Sequence, residues 1–111
     1  MIEYHVNVTE TAFDDLSSIA LYIKDTLKEP VVSEGQIARI KKGIFSLNTS
    51  PLRHPLVRDK MLAEQGYRSM FVDNYTIFYI VNEDSNIVDI SRVQYSRRNW
   101  ADLLCGDSVL L

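Results

Sequence analysis

GYRSMFVDNYTIFYIVNEDSNIVDISRVQYSRRNW, residues 66–100, reads as three strands joined by two short turns. Residues 67–72 follow Gly66, and Asp73-Asn74 is a pair of residue types that tolerate left-handed backbone angles. Residues 75–81 are a nearly continuous apolar run, as expected of a central strand flanked on both edges and covered on one side by helices. NEDSN, residues 82–86, makes the next turn. Residues 87–93 return with Val88 and Ile90 opposed to Asp89 and Ser91 across the pleat. Turns this short leave only antiparallel neighbours.

Upstream, residues 2–8 alternate Ile2, Tyr4, Val6 and Val8 with Glu3, His5 and Asn7, the period-two pattern of a half-buried strand able to join the sheet edge by a crossover. Thr11 with Asp14 three positions on has capping-box spacing, and Phe13, Leu16, Ala20, Ile23 and Leu27 recur at helical intervals, widened by Ile19 and Tyr22. Pro30 ends that helix or begins a second, which runs to about Leu47 with Ile37, Ile40, Ile44 and Leu47 inside and Arg39, Lys41 and Lys42 outside. Gly35 and Gly43 weaken it by up to about 1 kcal/mol each relative to alanine. Residues 48–57, NTSPLRHPLV, form a loop by composition. Residues 96–104, opened by Ser96, read as a short helix or turn, and residues 105–111 as a loosely held tail. The whole predicts one α+β domain over residues 1–111: an N-terminal strand, a helical hairpin packed on a twisted, mainly antiparallel sheet of about four strands, and a short C-terminal helix.

The 111 residues are 46% apolar, enough for a modest core. No run approaches the roughly 18 apolar residues of a membrane span, so a cytoplasmic protein without a membrane partner is expected. One cysteine, Cys105, and two histidines, His5 and His54, argue against a disulfide framework or an ordinary zinc site; no metal and no cofactor is expected. The net charge of −3 is uneven: −5 over residues 1–34, +5 over 35–60, and −3 over 61–111. The basic island, with Arg39, Lys41, Lys42, Arg53, Arg58 and Lys60, suits an anionic partner, nucleic acid or an acidic protein segment, although a solvated helix face is the commoner cause of such a run. His54 alone in this region titrates near neutrality, which makes it the obvious general acid/base candidate, but no second catalytic group stands at a diagnostic spacing.

The helical hairpin, the Tyr67-Arg68 strand, the apolar strand NYTIFYIV and the ending ISRVQYSRRNW together resemble the RelE/ParE superfamily of bacterial type II toxin–antitoxin toxins over residues 2–104. The helix signature from Ala12 to Leu16, continuing through Ile19, Tyr22 and Ile23, is similar to the ParE side. The resemblance implies a toxin neutralised by a cognate antitoxin in a hetero-oligomer. It also implies one of two actions: ParE-like binding and inhibition of DNA gyrase, or RelE-like metal-independent cleavage of mRNA on the ribosome.

For the nuclease, the implied catalytic positions are Arg68, Arg92, Tyr95 and Arg98, with His54 as a weaker candidate and Arg97 as a further nucleic-acid contact. Met70 and Thr76 stand where the nucleases carry basic residues, and Tyr95 replaces the usual histidine. An overall negative charge also disfavours entry into an RNA-lined site. The residues therefore favour gyrase inhibition over ribonuclease action, with a degenerate member that only binds its antitoxin as a third reading. The plainer alternative for Arg68 and Arg92 is cross-strand pairing with Asp89 or Asp73. Tyr67, Tyr75 and Tyr79 are first of all strand formers, and Trp100 a lid over the core.

Overall fold

The computed structural model describes residues 2–96. It places one four-stranded sheet, in the order β1-β4-β3-β2, beside a helical hairpin. The strands are β1, His5–Val8; β2, Arg68–Val72; β3, Tyr75–Asn82; and β4, Ile87–Tyr95. The helices are α1, Glu10–Leu21; α2, Pro30–Phe45; and a short α3, Lys60–Glu64. Strands β2, β3 and β4 are consecutive antiparallel neighbours, and β1 runs parallel to β4 at the far edge. The expected short C-terminal helix, with Arg97, Arg98 and Trp100, lies outside the described residues, as does the tail.

Helix α1 begins two residues earlier than Thr11 suggests. Thr9 is its cap: its hydroxyl oxygen accepts the Ala12 N–H at 3.2 Å and its hydroxyl donates to the Ile90 carbonyl at 2.7 Å, fastening the helix start to β4. This register buries Ala12, Leu16 and Ile23, and turns Phe13 outward at 61% exposure. A π-helical turn, Tyr22–Thr26, follows α1 and leaves Tyr22 and Leu27 exposed as well. The expected apolar stripe is thus narrower than the sequence pattern suggests. Pro30 occupies the first turn of α2, where its missing N–H costs nothing. The two helices are tied by the buried Ser33, whose hydroxyl donates to the Ala20 carbonyl at 2.8 Å.

Gly43 has a tertiary reason to be glycine. A Cβ there would sit 2.7 Å from Val72 Cγ2 and 3.3 Å from Met70 Cε, so α2 approaches β2 too closely for a side chain. Ile40, Ile44 and Leu47 then meet Ala12, Leu16, Met70, Ile77, Tyr79, Val88, Ile90 and Val93 in the main core. Phe78 alternates with Ile77 and Tyr79 and packs instead in a smaller cluster with Val57 and Leu62, joined by Tyr67. That cluster requires α3, which the sequence reading left without an element. Asp59 caps it by accepting the Leu62 N–H at 3.0 Å.

One irregularity shapes the functional surface. The β3–β4 register shifts between Phe78 and Tyr79: Tyr79 opposes Ile90, whereas Phe78 opposes Arg92. Ser91 is the extra residue, so β4 sends Val88, Ile90 and then Val93 to the core, breaking the simple alternation. Asp73, in the β2–β3 turn, takes a positive φ of 53°, as its residue type allows. No helix among the described residues is long and apolar enough to cross a membrane.

Candidate functional site

The basic positions separate into three environments. The first is the corner formed by residues 50–54 against β2 and β3. Arg68 Nη1 donates to the His54 carbonyl at 2.7 Å and to that of Leu52 at 3.4 Å. Arg53 Nη1 donates to the carbonyls of Thr49 and Ser50 at 2.7 and 3.0 Å, and its Nη2 to Ser46 Oγ at 2.9 Å. Between them Tyr79, fully buried, donates its hydroxyl to the Pro51 carbonyl at 2.7 Å, and its ring meets His54 edge-on at 6.4 Å between centroids. Both arginines thus hold the loop's main chain, a use of cations that stabilises irregular backbone.

His54 shares this corner, and its buried Nε2 has no hydrogen-bond partner among the described residues. Burial first, and the neighbouring Arg53 second, hold its pKa below the ordinary histidine value, so the ring is neutral near pH 7. Tyr79 behaves in the same way: burial pushes its hydroxyl up to about 12. The sequence expectation of a His54 acid/base group therefore meets a neutral imidazole in T-shaped contact with the Tyr79 ring.

The second environment is solvent. Lys41, Lys42, Arg58 and Lys60 are exposed. Arg39, also exposed, donates through Nε to Asp73 at 2.8 Å, and Gln36 donates to the same carboxylate at 2.9 Å. The Arg39 hydrogen bond is the main reason that Asp73 titrates below the usual carboxylate value. The basic island is thus partly a surface ion pair and partly solvated lysines.

The third environment surrounds Arg92. Its Nε and Nη2 donate to the two carboxylate oxygens of Asp15 at 2.8 and 3.0 Å, and the Val93 N–H adds a third bond to the same carboxylate at 2.9 Å. Both side chains are largely covered, at 21% and 12% exposure. These hydrogen bonds raise the already high pKa of Arg92. The cross-strand pairing expected from Asp89 or Asp73 is therefore replaced by one to α1. Asp89 instead accepts a hydrogen bond from Asn7 of β1 at 2.8 Å.

Beside this pair opens a groove of about 760 Å³ between α1 with its π-turn and the end of β4. Tyr22, Tyr75 and Tyr95 line it together with Ile19, Leu27 and Gln94. The Tyr75 and Tyr95 rings stack edge-on at 5.8 Å. Burial first, then the nearby Tyr95 and Tyr22, raise the pKa of the Tyr75 hydroxyl. Tyr95 is thereby brought near Arg92, whereas Arg68 stands at the other corner. Arg97 and Arg98 lie outside the described residues.

Two further positions answer directly. Met70, which stands where the nucleases carry a basic residue, is buried under Gly43. Thr76 is also buried, and its hydroxyl shares a hydrogen bond with that of Ser96 at 2.9 Å. Asp15, which the sequence presents only as one acid among several in a helix, had no signal to mark its role. Its partner is 77 residues away and is reached only through the bulge at Ser91.

The same fold occurs in toxin–antitoxin proteins. In the RelBE2 toxin–antitoxin complex of Mycobacterium tuberculosis, the matching chain is 25% identical, with 86% of this chain and 93% of that chain covered at a TM-score of 0.63. A chain of the chromosomal ParDE system of P. aeruginosa matches at a TM-score of 0.71 with 14% identity, covering 86% and 98% of the two chains. A mutant of the E. coli toxin RelE in the free state matches at 0.61 with 14% identity, covering 88% of each. No curated protein matches. Residues 6–100 match the family described as the ParE toxin of the type II toxin–antitoxin system parDE. With the match spanning nearly all of the strand–hairpin–sheet unit, this chain belongs to the ParE toxin family of type II toxin–antitoxin systems.

Proposed function

We propose that the chain arrests growth as a ParE-like inhibitor that binds DNA gyrase in the cytoplasm, and that a cognate antitoxin neutralises it in a hetero-oligomer. The observation that carries this reading is the engagement of four of the five described arginines, Arg39, Arg53, Arg68 and Arg92. A metal-independent ribonuclease needs cations held ready for the scissile phosphate and its developing charge. Here Arg92 is satisfied by Asp15, Arg68 and Arg53 hold main-chain carbonyls, and Arg39 pairs with Asp73. Met70 and Thr76 are buried in addition. An inhibitor acting through a protein surface has no need of a free phosphate clamp.

The antitoxin seats in the groove beside β4, where Tyr22, Tyr75 and Tyr95 offer apolar bodies with polar tips to an amphipathic helix or strand. Acidic antitoxin residues complement the exposed Lys41, Lys42, Arg58 and Lys60. The relatives in the Mycobacterium tuberculosis RelBE2 and P. horikoshii RelE–RelB structures are likewise complexes of toxin with antitoxin.

The test uses purified, antitoxin-free protein in two assays. Inhibition of gyrase supercoiling with ribosome-bound mRNA left intact is the expected result. Cleavage of mRNA on stalled ribosomes, lost in Arg68→Ala or Arg92→Ala, would replace this reading with a ribonuclease. Inactivity in both assays, with antitoxin binding retained, would leave a chain that only binds its antitoxin.

A further inference from the structure

Asp15 and Arg92 form more than a salt bridge, because the carboxylate also takes a main-chain N–H. Strand β1 ends at Val8, opposite Ile90, so beyond that point no strand among the described residues pairs with the outer edge of β4. The bulge at Ser91 then turns the Arg92 fork and the Val93 N–H toward one point, where the Asp15 carboxylate sits. Two parallel guanidinium donors plus a backbone N–H make up the donor set that binds an oxyanion. Arg92 Nη1 has no partner among the described residues, and both Asp15 and Arg92 line the 760 Å³ groove, which gives a small anion a route to the fork.

We propose that the Arg92 guanidinium and the Val93 N–H are an oxyanion-binding site kept filled by the chain's own Asp15 carboxylate. The ligand class is a carboxylate or a phosphate monoester. Asp15 is a tethered competitor held on a helix, so it acts at an effective concentration on the order of millimolar or above, and free anions do not displace it. The site is therefore silent toward external oxyanions until that carboxylate is removed or drawn away. Any partner or nucleic acid that engages Arg92 must supply an oxyanion of its own and displace Asp15. The inference rests on the geometry of this pair and is independent of whether gyrase or the ribosome is the target.

The test is chemical rescue of the full chain. Asp15→Ala is melted with increasing sodium formate or inorganic phosphate, with chloride holding the ionic strength constant. Its melting temperature, expected below that of the native chain, should rise saturably with the anion, following binding to the folded state only. The native chain and the Asp15→Ala/Arg92→Gln double variant should show no anion-specific rise. Recovery by formate alone identifies a planar carboxylate site, and recovery by phosphate a phosphate site. Equal responses from Asp15→Ala and the native chain, or from the single and double variants, would overturn the proposal. If Asp15→Ala does not fold, Asp15→Asn keeps an acceptor for the Val93 N–H and the Arg92 Nε–H resonance is followed by NMR. A phosphate-induced shift in that variant but not in the native chain is expected, and its absence refutes the site. Neither result bears on supercoiling inhibition, so this inference and the proposed function can fail separately.

Discussion

Removing one oxygen atom, by Tyr79→Phe, probes the corner that holds the 50–54 loop against the sheet. Tyr79 is fully buried at the centre of β3, between Arg68 on one side and Ile90 on the other, and its hydroxyl donates to the Pro51 carbonyl at 2.7 Å. The phenylalanine ring keeps the packing and the edge-on contact with His54, so the loss is confined to the hydrogen bond and the stranded carbonyl. A buried acceptor left unsatisfied costs about 1–3 kcal/mol. Against a total stability of about 5–15 kcal/mol this is a large share, and it lowers the melting temperature by roughly 4 °C per kcal/mol for a domain of this size.

Urea unfolding at pH 7 should therefore show a lower midpoint with an unchanged slope. Alkali supplies an independent readout. Burial pushes the folded hydroxyl up to about 12, above the ordinary tyrosine value of about 10, so the native state holds a proton that the unfolded chain releases. That contribution is fully present below pH 10 and is lost as the pH rises toward 12. The stability gap between the native chain and Tyr79→Phe should accordingly narrow above pH 10. A change under about 0.5 kcal/mol at pH 7, together with a constant gap in alkali, would refute the buried donor.

Gly43→Ala should destabilise the protein, because overpacking against Val72 Cγ2 costs about 1–3 kcal/mol while helix propensity returns at most about 1; a higher melting temperature would mean that α2 and β2 stand further apart. His54→Leu removes a buried Nε2 that has no partner among the described residues. Since the folded histidine titrates below 6.5, native stability is fully present above that pH and declines as the pH falls below it; the variant should lose this decline in urea titrations between neutral and mildly acidic pH. Arg39→Ala, which breaks only an exposed pair with Asp73, should leave the urea midpoint essentially unchanged, and a large drop would show that the pair is coupled to the core.

Much of the fold was legible because local periodicity and turn chemistry point to the same answer. The apolar run of β3, the Asp73-Asn74 turn and the alternation of residues 87–90 suffice for an antiparallel β2–β3–β4 unit. The spacing of Ile37, Ile40, Ile44 and Leu47 likewise places α2 against it. Errors arose where a long-range contact overrode a local pattern. Thr11 has the better capping-box spacing, yet Thr9 caps α1 because its hydroxyl also reaches Ile90 of β4. Phe13 follows a plausible apolar stripe, yet the register set by that cap turns it to solvent. Helix α3 is too short for a periodic signal and exists to cover Phe78.

The sequence by itself determined the order of strands and helices, the apolar content of the core and the resemblance to the toxin family, since these depend on near neighbours in the chain. Only the tertiary structure decided which cations are available. The bulge at Ser91 reverses the facing of β4 and brings Val93 beside Asp15 of α1, while the residue 50–54 loop draws Arg53 and Arg68 onto its carbonyls. Whether a charge is free or already partnered depends on distances of about 3 Å between residues far apart in the chain, and no local pattern of residue types encodes them.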